Sequence, residues 1–302
     1  MVDIIIIGGG TAGMTSALYA LRAGKSVMVL EAESFGGQIA SSPRVENFPG
    51  TKQISGLELA DKLFEQITEL GAEFDIDRVI SIEKLAEKHF KVTTEYSVYE
   101  AKSVIIACGV KHRTLNVAKE EKFIGKGVYY CAVCDGAFFT GKEVALVGDA
   151  NSALQYALLL SNYCSKVTMV TMFDKFFGDM ALQNAVRARE NIEIIPGYLT
   201  DGFIGDDTFE GVKFRKTEGD GGFELKTNAL FVAIGQVPDN SAFADIVELD
   251  KTGFIISDEA CTTKTDGVFV AGDCRTKKIR QLTTAAADGA IAALAAATYI
   301  DK

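Results

Sequence analysis

The strongest constraint on this chain lies in its first thirty-one residues. Asp3 to Ile7 is a short apolar run, the pattern of a strand buried on both faces, and it leads into Gly8-Gly9-Gly10-Thr11-Ala12-Gly13. Glycines at positions 8, 10 and 13 supply G-x-G-x-x-G. A helical pattern runs from Met14 to Ala23 and stops at Gly24, and a second apolar run from Ser26 to Leu30 ends on Glu31. A lone glycine motif would be a weak signal, but here it sits inside a complete strand–turn–helix–strand–acid unit. The glycines allow a tight turn and close approach of the backbone to a pyrophosphate, whose charge the helix N-terminus faces. Glu31, 23 positions after Gly8, stands where a carboxylate accepts from a ribose 2′-hydroxyl. The unit predicts an α/β fold with a parallel sheet and a bound dinucleotide.

The remaining composition narrows the class. With 302 residues, 48% of them hydrophobic, the chain has material for about two domains. Acidic residues outnumber basic ones by 41 to 31, a net charge of −10 that argues against nucleic-acid or anionic-membrane partners. Two histidines leave no basis for a histidine-rich metal site, and no metal is expected. No basic leader with a signal-type apolar stretch is read at the start, and no run of 18 apolar residues anywhere. The alanine-rich segment from Thr283 to Ile300, interrupted by Asp288, reads as a buried amphipathic helix. Of the six cysteines only one pair is close in sequence, so this is not a secreted disulfide framework, and a reduced, cytoplasmic setting is expected.

That pair is Cys131-Ala132-Val133-Cys134, followed by Asp135-Gly136. A C-x-x-C brings two sulfurs close enough to close a small disulfide ring. One thiol can then attack a partner's disulfide while the other resolves the mixed intermediate. A metal site would need two further ligands that the sequence does not offer, and a pair of inert core cysteines is the other alternative. Cys108, at a strand end in Ile105-Ile106-Ala107-Cys108-Gly109, and the isolated Cys164, Cys261 and Cys274 read as buried small hydrophobes.

Further blocks carry a family resemblance: Phe35-Gly36-Gly37-Gln38, Glu46-Asn47-Phe48-Pro49-Gly50, the apolar strand Gly267-Val268-Phe269-Val270-Ala271-Gly272-Asp273, and Arg280-Gln281 ahead of the alanine-rich helix. Together with Cys-Ala-x-Cys-Asp they resemble the low-molecular-weight thioredoxin reductase family. The resemblance implies FAD, where the residues alone gave only a dinucleotide. The residues it implies at the cofactor are Gly8, Gly10, Thr11, Ala12, Gly13, Glu31, Gly37, Gln38, Asn47, Gly272, Asp273, Arg280 and Gln281. It further implies that Cys134 faces the flavin as the charge-transfer thiolate and that Cys131 attacks thioredoxin. Asp135 then gives and takes the proton. Two Rossmann-like three-layer α/β domains are expected, the second inserted into the first. The FAD domain would comprise 1–113 and 243–302, the dithiol-bearing domain 114–242, and the assembly would be a homodimer.

The inserted domain departs from the family pattern. The strand Glu143 to Val147 is followed by Gly148-Asp149-Ala150-Asn151-Ser152-Ala153, where the family has Gly-x-Gly-x-x-Ala. A Cβ at Ala150 stands where backbone must approach a pyrophosphate, and Asp149 sets a like charge beside it. After the next strand the family's His-Arg-Arg-x-x-x-Arg, which clamps the 2′-phosphate of NADPH, is replaced by Thr171-Met172-Phe173-Asp174-Lys175-Phe176-Phe177. One lysine is a poor substitute for guanidinium forks. Intact flavin and dithiol blocks beside a degenerate nucleotide site resemble the ferredoxin-dependent flavin thioredoxin reductases, which implies ferredoxin as donor. Arg275, Lys277, Lys278 and Arg280 are the candidate docking patch for so acidic a partner. Two alternatives stay open: an NADPH-dependent reductase whose basic groups come from neighbouring segments, and a flavoprotein redox sensor without turnover.

Overall fold

The computed structural model describes residues 1–42 and 45–302. It divides into two compact units, Met1–Lys111 with Val237–Lys302, and His112–Gln236. The expectation from sequence set these limits at 113/114 and 242/243.

The first unit opens with β1 (Val2–Ile7), α1 (Thr11–Arg22), β2 (Val27–Glu31), α2 (Gly56–Glu69) and β3 (Glu73–Ile76). It continues through the antiparallel β4 (Val79–Ala86), β5 (His89–Thr94) and β6 (Val98–Ile106). β1 is central, pairing in parallel with β2 on one side and β6 on the other. Its alternation explains its uniform apolarity: Ile4 and Ile6 enter the cluster under α1, while Ile5 and Ile7 enter the cluster on the opposite face. The two helices start differently. Ser55 caps α2 by accepting from the Glu58 N–H at 3.1 Å, whereas Gly10 gives α1 no side-chain cap. The first N–H groups of α1 therefore keep their capacity for another acceptor.

The second unit follows β7 (Lys111–His112) and contains α3 (Glu120–Phe123), β8 (Val128–Tyr129), α4 (Ala132–Asp135), β9 (Glu143–Val147), α5 (Asn151–Ser161), β10 (Lys166–Thr171), α6 (Met180–Arg187) and β11 (Ile192–Pro196). An antiparallel layer of β12 (Tyr198–Ile204), β13 (Gly211–Lys216) and β14 (Gly222–Lys226) comes next, then β15 (Leu230–Val232). Its main sheet is parallel in the order β11-β10-β9-β15-β8. The α/β character and Rossmann-like sheets are as the sequence led one to expect.

After β16 (Gln236–Val237), the chain completes the first unit with β17 (Val268–Val270) and α7 (Leu282–Asp301). β6 is long enough to serve two neighbours on one side: Val98–Ala101 pairs with β5, and Val104–Ile106 with β17. By length and composition α7 could cross a bilayer. Here it is a core helix, its Ala285, Ala292, Ala293 and Ala296 in one cluster with Ala12, Ala17 and Ala20 of α1. Gly289 makes that approach feasible, since a Cβ there would lie 2.4 Å from the Ala12 carbonyl oxygen. Asp288, which interrupts the apolar run, is itself buried in this unit at 4% exposure.

Candidate cofactor site and candidate redox site

The turn between β1 and α1 is built as its sequence requires. Gly8 has φ +110°, and a Cβ on it would meet the Ala107 carbonyl oxygen at 2.4 Å; one on Gly13 would meet the Gly8 oxygen at 1.8 Å. At Gly10 the nearest atom to such a Cβ is Gly37 Cα at 3.9 Å, so bare backbone faces open space. Glu31 accepts from the Gly9 N–H at 2.6 Å through one oxygen and from the Glu33 N–H at 3.0 Å through the other, placing its carboxylate against the turn. Thr11 and Ala12 open α1, and the Gly36 N–H donates to the Gly9 carbonyl at 2.9 Å, which lays Gly37 beside Gly10.

The C-terminal block converges on the same turn. A Cβ at Gly272 would lie 2.8 Å from Ala12 Cβ. Asp273 follows, with Oδ1 buried and without a hydrogen-bond partner among the described residues, and burial pushes its carboxyl pKa up. A buried acceptor left open at the end of a strand, beside an uncapped helix and a glycine-lined approach, fits a ligand with hydroxyl donors and a pyrophosphate. Arg280 donates through Nε to the Asp273 carbonyl at 3.3 Å. Gln281 is the N-cap of α7 and accepts from Asn47 Nδ2 at 3.2 Å, so these two expected residues meet each other. Gln38 donates to the Val110 carbonyl.

The basic segment is not the free patch that the sequence suggested. Arg275 and Lys277 are both buried against Asp288, at 2.9 and 2.8 Å. Arg280 lies over the Phe254 ring at 4.2 Å. Only Lys278 of the four is exposed. Three of the proposed docking cations thus serve the packing of their own unit, because Asp288 reaches back from the second turn of α7.

In the second unit, Cys131 and Cys134 form a disulfide with Cα atoms 5.3 Å apart. Cys131 is the N-cap of α4, its Sγ accepting from the Cys134 N–H at 3.1 Å while the Asp135 N–H donates to the Cys131 carbonyl at 3.0 Å. Ala132 is buried in the core and Val133 points outward, so the short helix is anchored with both sulfurs half-buried. Asp135 is 7% exposed, and its Oδ1 has no partner among the described residues. Burial raises its carboxyl to about 7, and its field raises the hydroxyl pKa values of Tyr129 and Tyr156, on which burial is the larger influence. A carboxyl poised near neutrality next to a dithiol can hold or release a proton at physiological pH.

A cleft of about 690 Å³ opens at the C-terminal end of the second unit's parallel strands. The turn after β9 repeats the first unit's construction up to a point: Gly148 has φ +138°, and a Cβ on it would meet the Ala233 carbonyl oxygen at 2.4 Å. Ala150 then occupies the N-cap of α5, and burial raises the Asp149 carboxyl. Thr171 donates to the Phe173 carbonyl at 2.7 Å, shaping a turn that presents Met172 and Phe173 to the cleft. The Phe173 and Phe177 rings meet at 5.2 Å, and the Phe177 N–H donates to the Asp149 carbonyl at 2.8 Å. The cleft-lining cation that the sequence reading passed over is Arg113, beside His112, whose pKa burial lowers. Nothing in its local sequence marks it, since it reaches the cleft through the pairing of the segments at either end of the inserted unit.

Comparison with known proteins agrees with this construction. The sequence model for "Pyridine nucleotide-disulphide oxidoreductase" matches residues 2–289. The chain belongs to the pyridine nucleotide-disulphide oxidoreductase family. A "34.2 kDa protein in rubredoxin operon" of Clostridium pasteurianum is 41% identical over 300 residues, which is 99% of this chain and 97% of that one. The thioredoxin reductase of Listeria innocua is 38% identical over 99% of this chain and 94% of its own length. The crystal structure of thioredoxin reductase from Streptococcus pyogenes superposes with a TM-score of 0.94 at 37% identity, covering 100% of this chain and 98% of that one. Within the family this is a flavin disulfide oxidoreductase of the thioredoxin reductase type, and its cofactor is FAD.

Cys108 departs from expectation. It does not lie buried at a strand end: the chain has left the sheet two residues after Ile106, and the residue is exposed. Cys164, Cys261 and Cys274 are buried.

Proposed function

We propose that this chain reduces the disulfide of thioredoxin through Cys131 and Cys134, taking its electrons from a one-electron iron–sulfur protein of the ferredoxin class in preference to NADPH. The observation that carries the donor assignment is the cleft after β9. Where a 2′-phosphate would need guanidinium groups, Met172 and Phe173 line the wall, and Asp149 and Ala150 follow Gly148 at the turn. The rubredoxin-operon name of the Clostridium pasteurianum relative supports a small iron-containing donor.

Bound FAD supplies a two-electron carrier that can be filled one electron at a time and emptied into a disulfide. Gly8, Gly10 and Gly13 would hold its pyrophosphate at the N-terminus of α1, with Glu31 at the ribose and Asp273 accepting from a hydroxyl. The chain's own residues manage the rest. Opening Cys131–Cys134 consumes two electrons and two protons, and Asp135, half protonated near neutrality, is the proton donor and acceptor within the second unit. Cys131 then attacks thioredoxin's disulfide and Cys134 resolves the mixed disulfide, returning the ring to its oxidised form. We place this activity in the cytoplasm and in a homodimer.

Arg113 favours a second reading, in which it serves as an atypical clamp and NADPH is the donor. Anaerobic mixing of the holoenzyme with NADPH, NADH or reduced ferredoxin separates the two. Reduction by ferredoxin with little response to either nucleotide is the expected result. Rapid and complete flavin bleaching by NADPH overturns the donor assignment. Thioredoxin reduction that survives Cys131→Ser or Cys134→Ser overturns the role of the dithiol.

A further inference from the structure

The first unit holds three cysteines for which the thioredoxin-reductase-type reaction has no use, and two of them, Cys108 and Cys274, lie together at the floor of the cofactor turn. Cys108 follows Ala107, the residue against which Gly8 packs; a Cβ on Gly8 would be 3.1 Å from Cys108 Cα. Cys274 follows Asp273 and is fully buried, its Sγ directed at the Ala271 carbonyl at 3.4 Å and the Ile106 carbonyl at 3.7 Å. The Cys274 side chain, together with burial, raises the Cys108 thiol well above its usual pKa. Asn240, 2% exposed, clamps both: its Oδ1 accepts from the Cys108 thiol at 3.2 Å, and its Nδ2 donates to the Cys274 carbonyl at 2.9 Å. Each segment is fixed by the sheet as well, since the Ala271 N–H donates to the Ile106 carbonyl at 2.9 Å. The other free cysteines are not so placed. Cys164 belongs to the second unit, and Cys261 is bonded to the Asp288 carbonyl at 3.6 Å, its thiol raised to about 11 chiefly by burial.

We propose that Cys108 and Cys274 form a second, reversible disulfide, closed by hydroperoxide, which covalently joins the two sequence segments of the FAD-binding unit. The chemistry balances with one hydrogen peroxide. One thiol attacks it, the O–O bond breaks, and a sulfenic acid and water form; the second thiol attacks that sulfur, the S–O bond breaks, and a second water leaves. Two thiols are oxidised by two electrons and the peroxide is reduced to water. A dithiol reverses the step by exchange. The pair thus provides a redox modification site separate from Cys131–Cys134, and it exists whichever donor feeds the flavin.

The test uses the full-length holoprotein, treated with hydrogen peroxide, quenched, denatured with iodoacetamide and digested with trypsin without reduction. Cleavage after Lys102 and Lys111 isolates Cys108 on 103–111, and cleavage after Lys264 and Arg275 isolates Cys274 on 265–275. The expected result is a linked species of these two peptides, with loss of the alkyl adduct from both and its recovery after dithiothreitol. The peptide carrying Cys131 and Cys134 is scored in the same digest. Closure there while Cys108 and Cys274 stay fully alkylated overturns the proposal, and so does oxidation of Cys108 to sulfinic acid without a link. In Cys274→Ser the linked species should vanish and dimedone should trap the oxidised Cys108. A Cys108 disulfide to a different cysteine in the wild type also sinks the pairing, and that result requires no variant to fold.

Discussion

Replacing Asp135 by asparagine tests the proton-holding role of this residue and its energetic cost together. The carboxyl is 7% exposed with one oxygen unpartnered among the described residues, and burial moves its pKa from 3.8 to about 7. The folded value is raised, so the folded state binds the extra proton across the interval between the two values, and stability falls as pH rises through it. From about pH 5 to about pH 8 the unfolded chain has already released this proton, while the folded chain releases it only near 7. At about 1.4 kcal/mol per unit, the wild type loses on the order of 2–3 kcal/mol over that range from this one group. The amide of the Asp135→Asn variant cannot titrate, so the variant should lose that much less. Urea denaturation of the full-length holoprotein, followed by far-UV circular dichroism at both pH values, measures the difference between the two slopes. The same variant should reduce thioredoxin about 100-fold more slowly and lose the ionisation near neutrality from its pH–rate profile. Parallel stability profiles for wild type and variant would refute the buried-carboxyl argument, and unchanged turnover would refute its catalytic use.

Two further substitutions probe the first unit. Asp288→Asn leaves Arg275 and Lys277 buried without a countercharge and should cost about 3–5 kcal/mol in urea denaturation at neutral pH. Burial pushes the Asp288 carboxyl up, but hydrogen bonds from Arg275 and Lys277 outweigh it and hold the pKa below the usual value. Its contribution is therefore present above the unfolded pKa and fades as pH falls through the folded one, so the penalty should shrink in acid. Gly13→Ala sets a Cβ 1.8 Å from the Gly8 carbonyl oxygen, a clash with backbone that only a shift of the turn relieves. It should cost about 3 kcal/mol and strip the flavin, measured as flavin absorbance retained after gel filtration. Retention equal to wild type would mean that the turn adapts.

The parts legible in the sequence are those where a short stretch carries its own instructions. From Asp3 to Glu31, strand, turn, helix and acid all agree locally, and the C-x-x-C-Asp block needs only one turn of helix to close its ring. What escaped the sequence depends on who arrives from elsewhere. Four cations within Arg275–Arg280 read as a solvent-facing patch because Asp288, on the following helix, is not visibly their partner until α7 is packed on α1. Cys108, read as a strand-end residue, and the isolated Cys274 gave no sign of each other because the whole inserted unit separates them in the chain. Arg113 reaches the cleft only once the segments bounding the inserted unit run side by side. Asp135 could be named from its motif, but its displacement to about 7 comes from burial, which no motif records.

The divided neighbourhood of β6 has a consequence for how this polypeptide is made. Its Val104–Ile106 half receives β17 only after the ribosome has passed the whole of His112–Gln236. During synthesis, the second unit therefore has all of its strands in hand while the first still has an open sheet edge and lacks the helix that covers α1. The unit begun first is finished last. Chains stalled or clipped before residue 268 should emerge with a complete dithiol unit and an aggregation-prone remnant of the flavin unit, so the flavin becomes a marker of translation carried to its end.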